Sequence, residues 1–176
     1  MKLQDLVVEY INRSAAEVFS TMLGVELPAG EASIESGTPE SNDGVVSLIG
    51  MAGAWVGTGS LSCSPTLACR ICSLMLMAEF PAVNEDVLDA VAELTNMIIG
   101  GVKNDLERQV GTLGLSIPTV VFGKNFKTRS AGTTEWIVVR FPWEGEWLVT
   151  KLFLAPAEKA PHIPVHVAGS NCGLEV

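Results

Sequence analysis

One long amphipathic helix constrains this chain more than any other feature. It reads Asp86-Val-Leu-Asp-Ala-Val-Ala-Glu93-Leu-Thr-Asn96-Met-Ile-Ile-Gly100-Gly101-Val-Lys103-Asn-Asp-Leu106. At about 100° per residue, with Val91 set at zero, Val87, Leu94, Thr95, Ile98 and Val102 lie within roughly 60° of one meridian. That stripe must be buried, so the fold needs a second layer to receive it. Glu93, Asn96 and Gly100 fall at roughly 200°, 140° and 180°, and Asp89 and Glu107 lie close to the same line. Residues three and four apart are surface neighbours, so Glu93 and Asn96 can present a carboxylate and a carboxamide together while Gly100 leaves the backbone bare. Each helical glycine costs up to about 1 kcal/mol relative to alanine. Two in succession ask for a reason, and a helix end is not that reason, because Val102, Lys103 and Leu106 continue the period.

The 176 residues, 48% of them hydrophobic, suffice for one well-packed domain and not for two of ordinary size. Twenty acidic residues against 11 basic ones give a net charge of -9 with no Lys/Arg cluster, which excludes nucleic acid as an expected partner. No apolar run reaches the roughly 18 to 20 residues of a membrane span. The amino terminus lacks the apolar stretch of a secretion signal, so no membrane partner and a cytoplasmic location are expected. The four cysteines form no regular framework and read as free thiols in a reducing compartment.

Along the chain, residues 3–22 are amphipathic with Gly24 as a stop, a first helix. Residues 26–43 are rich in Pro, Gly, Ser and Glu and suit a linker or a poorly paired edge segment. Residues 45–52 and 55–63 alternate loosely about a break near Gly53, the pattern of a β-hairpin. A second helix is expected over 66–77, broken by Pro81 and Asn84, and the long helix over 85–109. Residues 115–123 form an extended apolar run whose early Pro118 argues for a strand edge or start. Strands over 133–141 and 146–154, separated by Pro-Trp-Glu-Gly, make a second hairpin. The fold class is therefore α+β, with one domain over 1–154. Residues 155–176, with three prolines and little periodicity, read as an extended tail.

Three of these features together resemble the CheX family of chemotaxis phosphatases, relatives of CheC that dephosphorylate the response regulator CheY. They are Glu93-Leu-Thr-Asn96 with Gly100 behind it, the segment Leu115-Ser-Ile-Pro118-Thr-Val-Val-Phe-Gly123, and the order helix, hairpin, helix, long helix, strands. Spacing alone carries little, since Glu9-Tyr-Ile-Asn12 in the first helix repeats it. The resemblance implies a mixed antiparallel sheet flanked by long helices, often a homodimer, and a long helix that exposes its Glu and Asn to a phosphorylated CheY-type receiver. In relatives with two sites the first helix also bears such a pair, so Glu9 and Asn12 could echo that duplication.

Given such a partner, hydrolysis needs an aligned water. The receiver brings the labile aspartyl phosphate and its own Mg²⁺, and the chain needs no cofactor of its own. A neutral carboxamide can orient the water, accepting from it while donating toward a phosphoryl oxygen. The resemblance thus gives Asn96 the water-orienting role and Glu93 an anchoring role toward the receiver's active-site Lys. Gly100, Asp89 and Lys103 are the binding residues around them, although Asp89 and Glu107 read first as solvation. The rival reading keeps the same surface as a receiver-binding adaptor or phosphate-signal sink without hydrolysis.

Other signals are set aside. Cys69-Arg-Ile-Cys72 has redox or metal spacing but lies in an apolar helical run, where buried thiols are the simpler account. Met75 and Met77 are expected to fill core gaps. His162, His166 and Cys172 lack a packed surround that would make them a metal site. No phosphate loop, nucleophile elbow or His-based triad occurs.

Overall fold

A computed structural model describes residues 2–36, 40–128 and 135–159 of the chain. Over these residues run three α-helices, α1 (Leu3–Val18), α2 (Pro65–Leu76) and α3 (Glu85–Val110). Seven strands accompany them: β1 (Glu31–Ser36), β2 (Glu40–Gly53), β3 (Trp55–Cys63), β4 (Leu113–Leu115), β5 (Thr119–Thr128), β6 (Glu135–Trp143) and β7 (Glu146–Pro156). The strands make one antiparallel sheet in the order β1-β6-β7-β3-β2-β4, with β5 also paired to β2. The α+β class and the two hairpins agree with the sequence reading.

Each helix is delimited by local chemistry. The Asn84 side chain accepts a hydrogen bond from Val87 N at 3.0 Å, and Glu85 and Asp86 set negative charge at the positive end of α3. Ser64 caps α2 by accepting from Leu67 N at 3.1 Å, with Pro65 at the first helical position. The first helix widens into one π-helical turn over Phe19–Leu23 and stops at Gly24, whose φ of +66° is left-handed.

Alternation along the strands gives the sheet two unlike faces. Val45, Ile49 and Met51 of β2, Ile137, Val139 and Phe141 of β6, and Leu148 and Leu152 of β7 join the helices in one core. On the reverse face Trp136 meets Phe153 with ring centroids 6.0 Å apart, and Val138 is fully buried beside them. In the core, Phe19 packs edge-on against Trp143 at 5.0 Å.

The buried stripe of α3 is the one its periodicity marks: Val87, Val91, Leu94, Thr95, Ile98 and Val102 are all inaccessible. Each such aliphatic side chain contributes about 1.5–3 kcal/mol, which outweighs the propensity penalty of the two glycines. Gly59 of β3 lets α3 settle on the sheet, since a Cβ there would lie 2.8 Å from Ile99. Gly101 has a definite structural role as well. A Cβ at this position would come within 3.0 Å of the Ser14 side chain, because α1 packs directly on α3 there. Ser14 Oγ donates to Ile98 O at 2.7 Å, fixing the contact.

Several expectations need correction. The 26–43 stretch, expected as a linker or a poorly paired edge segment, carries the edge strand β1 over 31–36, registered along β6 from Glu31 opposite Arg140 to Ser36 opposite Glu135, and β2 begins within it at Glu40. Its polar sequence is tolerated because Arg140 reaches across to Ser33 and Glu35. The 115–123 run is two strands with a break at 116–118, and Pro118 directly precedes β5, so the proline marks a strand start. Strand β7 runs two residues past Leu154. Met77 is 92% exposed, whereas Met75 does pack on the core. The cause is that α2 ends at Leu76 and Met77 takes the left-handed capping conformation, φ +51°, which swings it off the apolar face. The histidines and Cys172 lie outside the described residues, as does the start of the strand expected at 133.

Crowding at the α1–α3 contact makes a direct prediction. Gly101→Ala is expected to lower stability by about 1–3 kcal/mol despite its better helix propensity, and Ser14→Gly in the same chain to recover part of the loss. Urea denaturation of the single and double variants measures both.

Candidate functional site

Burial of one stripe of α3 forces the opposite stripe outward. Glu93 and Asn96 are exposed, one turn apart, and neither has a hydrogen-bond or ion-pair partner among the described residues. Beside them runs a groove of about 500 Å³. Asp89, Ala92, Glu93 and Asn96 form its helical wall, and Ser116, Ile117 and Pro118 form the other.

The second wall comes from the way β2 is paired. One edge of this 14-residue strand serves β5 over Glu40–Leu48 and β4 over Met51–Gly53, so these two strands lie end to end with a gap between them. Ser116 fills the gap. Its N–H donates to Gly50 O at 2.9 Å, and its Oγ accepts from Gly50 N at 2.9 Å and donates to Ile117 O at 3.1 Å. Pro118 then restricts Ile117 to an extended backbone. Ile117 is left 87% exposed.

The structure therefore brings Asp89, Glu93 and Asn96 together on one groove and leaves Gly100 and Lys103 outside its lining. Gly100 is half-buried, and a Cβ there would meet only Leu115 Cδ1 at 3.9 Å, an ordinary contact. Lys103 is held in a local pair, its Nζ 2.9 Å from Glu107 Oε1. Glu107 is more than solvated surface: it also accepts from Leu113 N at 2.9 Å and so ties the end of α3 to β4. That hydrogen bond, aided by Lys103, holds the Glu107 carboxyl below its ordinary pKa.

The two Glu-x-x-Asn pairs differ in a way that spacing could not reveal. Asn12 Nδ2 donates to Val8 O at 3.0 Å and its Oδ1 accepts from Gly30 N at 2.8 Å, so this carboxamide is occupied in pinning the chain before β1 to α1. Glu9 lies 3.8 Å from Arg13, which also bridges to Asp105. Only Asn96 of the two offers an uncommitted carboxamide.

Cys63, Cys69 and Cys72 are free thiols. Burial pushes all three up, Cys63 to about 12, so the thiolate needed for redox chemistry is scarce at neutral pH. Among the described residues no group of three or more His, Cys, Asp or Glu side chains could hold a metal ion, and no helix is long and apolar enough to cross a membrane. Ser116 and Ile117 went unassigned in the sequence reading. Their signal was present in an apolar residue placed directly before a proline between two strands.

The depressed Glu107 pKa fixes the sign of a pH effect. The carboxylate stabilises the fold above its ordinary value of 4.5, and the contribution disappears as pH falls through the lower, folded value. Glu107→Gln should therefore be less stable than the native chain at pH 7 and indistinguishable from it in strong acid, as read from denaturation midpoints across pH.

Residues 45–142 match the family described as Chemotaxis phosphatase CheX. A relative from Thermotoga maritima, CheY-P phosphatase CheX, is 29% identical over 137 residues, covering 77% of this chain and 85% of the relative. Among solved structures, a CheC-like superfamily protein from Shewanella sp. PV-4 is 27% identical with a TM-score of 0.70, covering 88% of this chain and 99% of that one. A CheX from Borrelia burgdorferi, solved as a complex with CheY, BeF₃ and Mg²⁺, has the same fold at 24% identity and a TM-score of 0.65. The match there covers 84% of this chain and 97% of the other.

Proposed function

The chain belongs to the chemotaxis phosphatase CheX family, and we propose that it hydrolyses the aspartyl phosphate of a CheY-type response regulator through Asn96 and Glu93. The observation that carries this reading is the uncommitted Asn96 carboxamide, exposed one turn from Glu93 on the wall of a groove open to a partner. The Thermotoga maritima relative, named a CheY-P phosphatase, and the Borrelia burgdorferi CheX–CheY complex support the choice of substrate.

In the proposed reaction the receiver contributes the phosphoaspartate and the Mg²⁺ that neutralises charge on it. Asn96 Oδ1 accepts a hydrogen bond from the attacking water, and its Nδ2 donates toward a phosphoryl oxygen. The work is positioning rather than proton abstraction, which suits a loose phosphoryl-transfer transition state. Glu93 pairs with the receiver's active-site lysine and sets the register of docking. Aimed instead at the phosphoryl group, its charge would oppose attack. Asp89, on the same groove, adds negative potential that attracts the receiver's cationic side. Gly100 keeps the helix low behind Asn96, and Lys103 supports the face through its pair with Glu107.

No cofactor of its own enters this reading. We place the protein in the cytoplasm, in keeping with its free thiols. We further propose that it works as a homodimer, as the family resemblance implies. Light scattering is expected to give twice the 18.7 kDa chain mass, and the chain mass alone would remove the dimer.

Decay of a phosphorylated CheY-type receiver in Mg²⁺ tests the reaction. The native protein should accelerate it. Asn96→Ala should lower kcat on the order of 10²-fold with little change in affinity, while Glu93→Ala or Glu93→Lys should mainly raise KM. Binding without acceleration across several receivers would leave the adaptor reading in its place. Gly100→Ala should fold at least as well as the native chain, because its Cβ meets only ordinary contact. Slowed decay in that variant would tie the bare backbone to docking.

A further inference from the structure

We infer that Ile117 is a second, apolar anchor for the receiver and that Ser116 is the residue that positions it. This inference rests on the reading above, and it extends the partner-facing surface from α3 to the opposite wall of the groove.

Scattered exposed aliphatic residues are ordinary on protein surfaces. Ile117 differs from them in being both highly exposed, at 87%, and held in place. Two hydrogen bonds tie Ser116 to Gly50, a third joins its hydroxyl to Ile117 O, and Pro118 limits the backbone that follows. A backbone fixed in this way, carrying a β-branched side chain with few rotamers, loses little further freedom on binding, which favours an anchor over a passive exposed residue. Its location gives it a partner. Ile117 and Pro118 face the same groove as Glu93 and Asn96, so a receiver seated on the α3 pair must also meet this lip.

The chemistry of the contact follows from what the wall offers. The Ser116 hydroxyl is committed to Gly50 and Ile117, Pro118 has no N–H, and none of the three residues is charged. The side chains of this wall therefore offer an apolar contact, suited to an apolar side chain on the receiver face that carries the phosphoaspartate. Glu93 supplies a screenable, charged contact and Ile117 an unscreened one, and the two together set which receivers are accepted.

The split between these contacts is measurable. Receiver dephosphorylation is followed over a range of receiver concentrations at about 50 mM and about 500 mM salt, which bracket weak and strong screening. Ile117→Ser is expected to raise KM roughly tenfold at both salts with kcat within about twofold of native. Ile117→Leu should restore KM, and the thermal midpoint should not move. Glu93→Gln should also raise KM, but by a factor that shrinks at high salt. Ser116→Ala should raise KM less than Ile117→Ser does. An unchanged KM in Ile117→Ser, with the native protein active, overturns the inference and leaves the phosphatase reading standing. If the native protein accelerates no receiver, binding to receivers loaded with BeF₃⁻ and Mg²⁺ decides. Binding weakened by Ile117→Ser keeps the anchor while the phosphatase reading fails, and unaffected or absent binding removes the anchor.

Discussion

The close approach of α1 to α3 at Gly101 governs the rest of the molecule. Without a side chain at 101, Ser14 reaches the backbone of α3 and donates to Ile98 O. With the aliphatic stripe of α3 sealed against sheet and α1, the helix has one rotational setting left. That setting points Glu93 and Asn96 at solvent, so the exposure of this pair is a by-product of close packing on the other side of the helix. Of the adjacent glycines, Gly101 has its reason in that core contact, and the reason for Gly100 is the one proposed for docking.

What could be read from the chain followed the range of the interaction responsible. The identity of α3, its buried stripe and its polar face were legible because helical periodicity is a property of neighbours in sequence. The hairpins were legible from their breaks at Gly53 and at Glu144-Gly145, the latter two both at positive φ. Strand β1 was legible only as the edge alternative for 26–43, because an edge strand with one partner needs no strong alternation, and its support from Arg140 arrives from 105 to 107 residues away. The groove's second wall was missed for the same reason, since Ser116 depends on Gly50, 66 residues earlier. Asn12 could be separated from Asn96 only once Gly30 was seen to occupy its carboxamide.

Phosphoryl chemistry makes modest demands on such a scaffold. In the proposed reaction, a partner that carries both the reactive acyl phosphate and its metal leaves only water to be placed, and a neutral carboxamide would place it without adding charge near an anion. The carboxylates of the groove then serve steering and register in that reaction, while others, such as Glu35 and Glu107, hold the fold together. Such a division lets a surface helix beside an open groove suffice for the proposed hydrolysis.

The interrupted pairing along β2 also has a bearing on self-association. Had β4 and β5 been one continuous strand, the sheet would end in a long, straight row of unpaired amides and carbonyls, a template for an intruding strand from another molecule. The gap at Ser116, closed inward onto Gly50 and followed by a proline that cannot donate, divides that row into a three-residue length and a ten-residue one. The break that shapes one wall of the groove also shortens the continuous border that this side of the sheet offers to another strand.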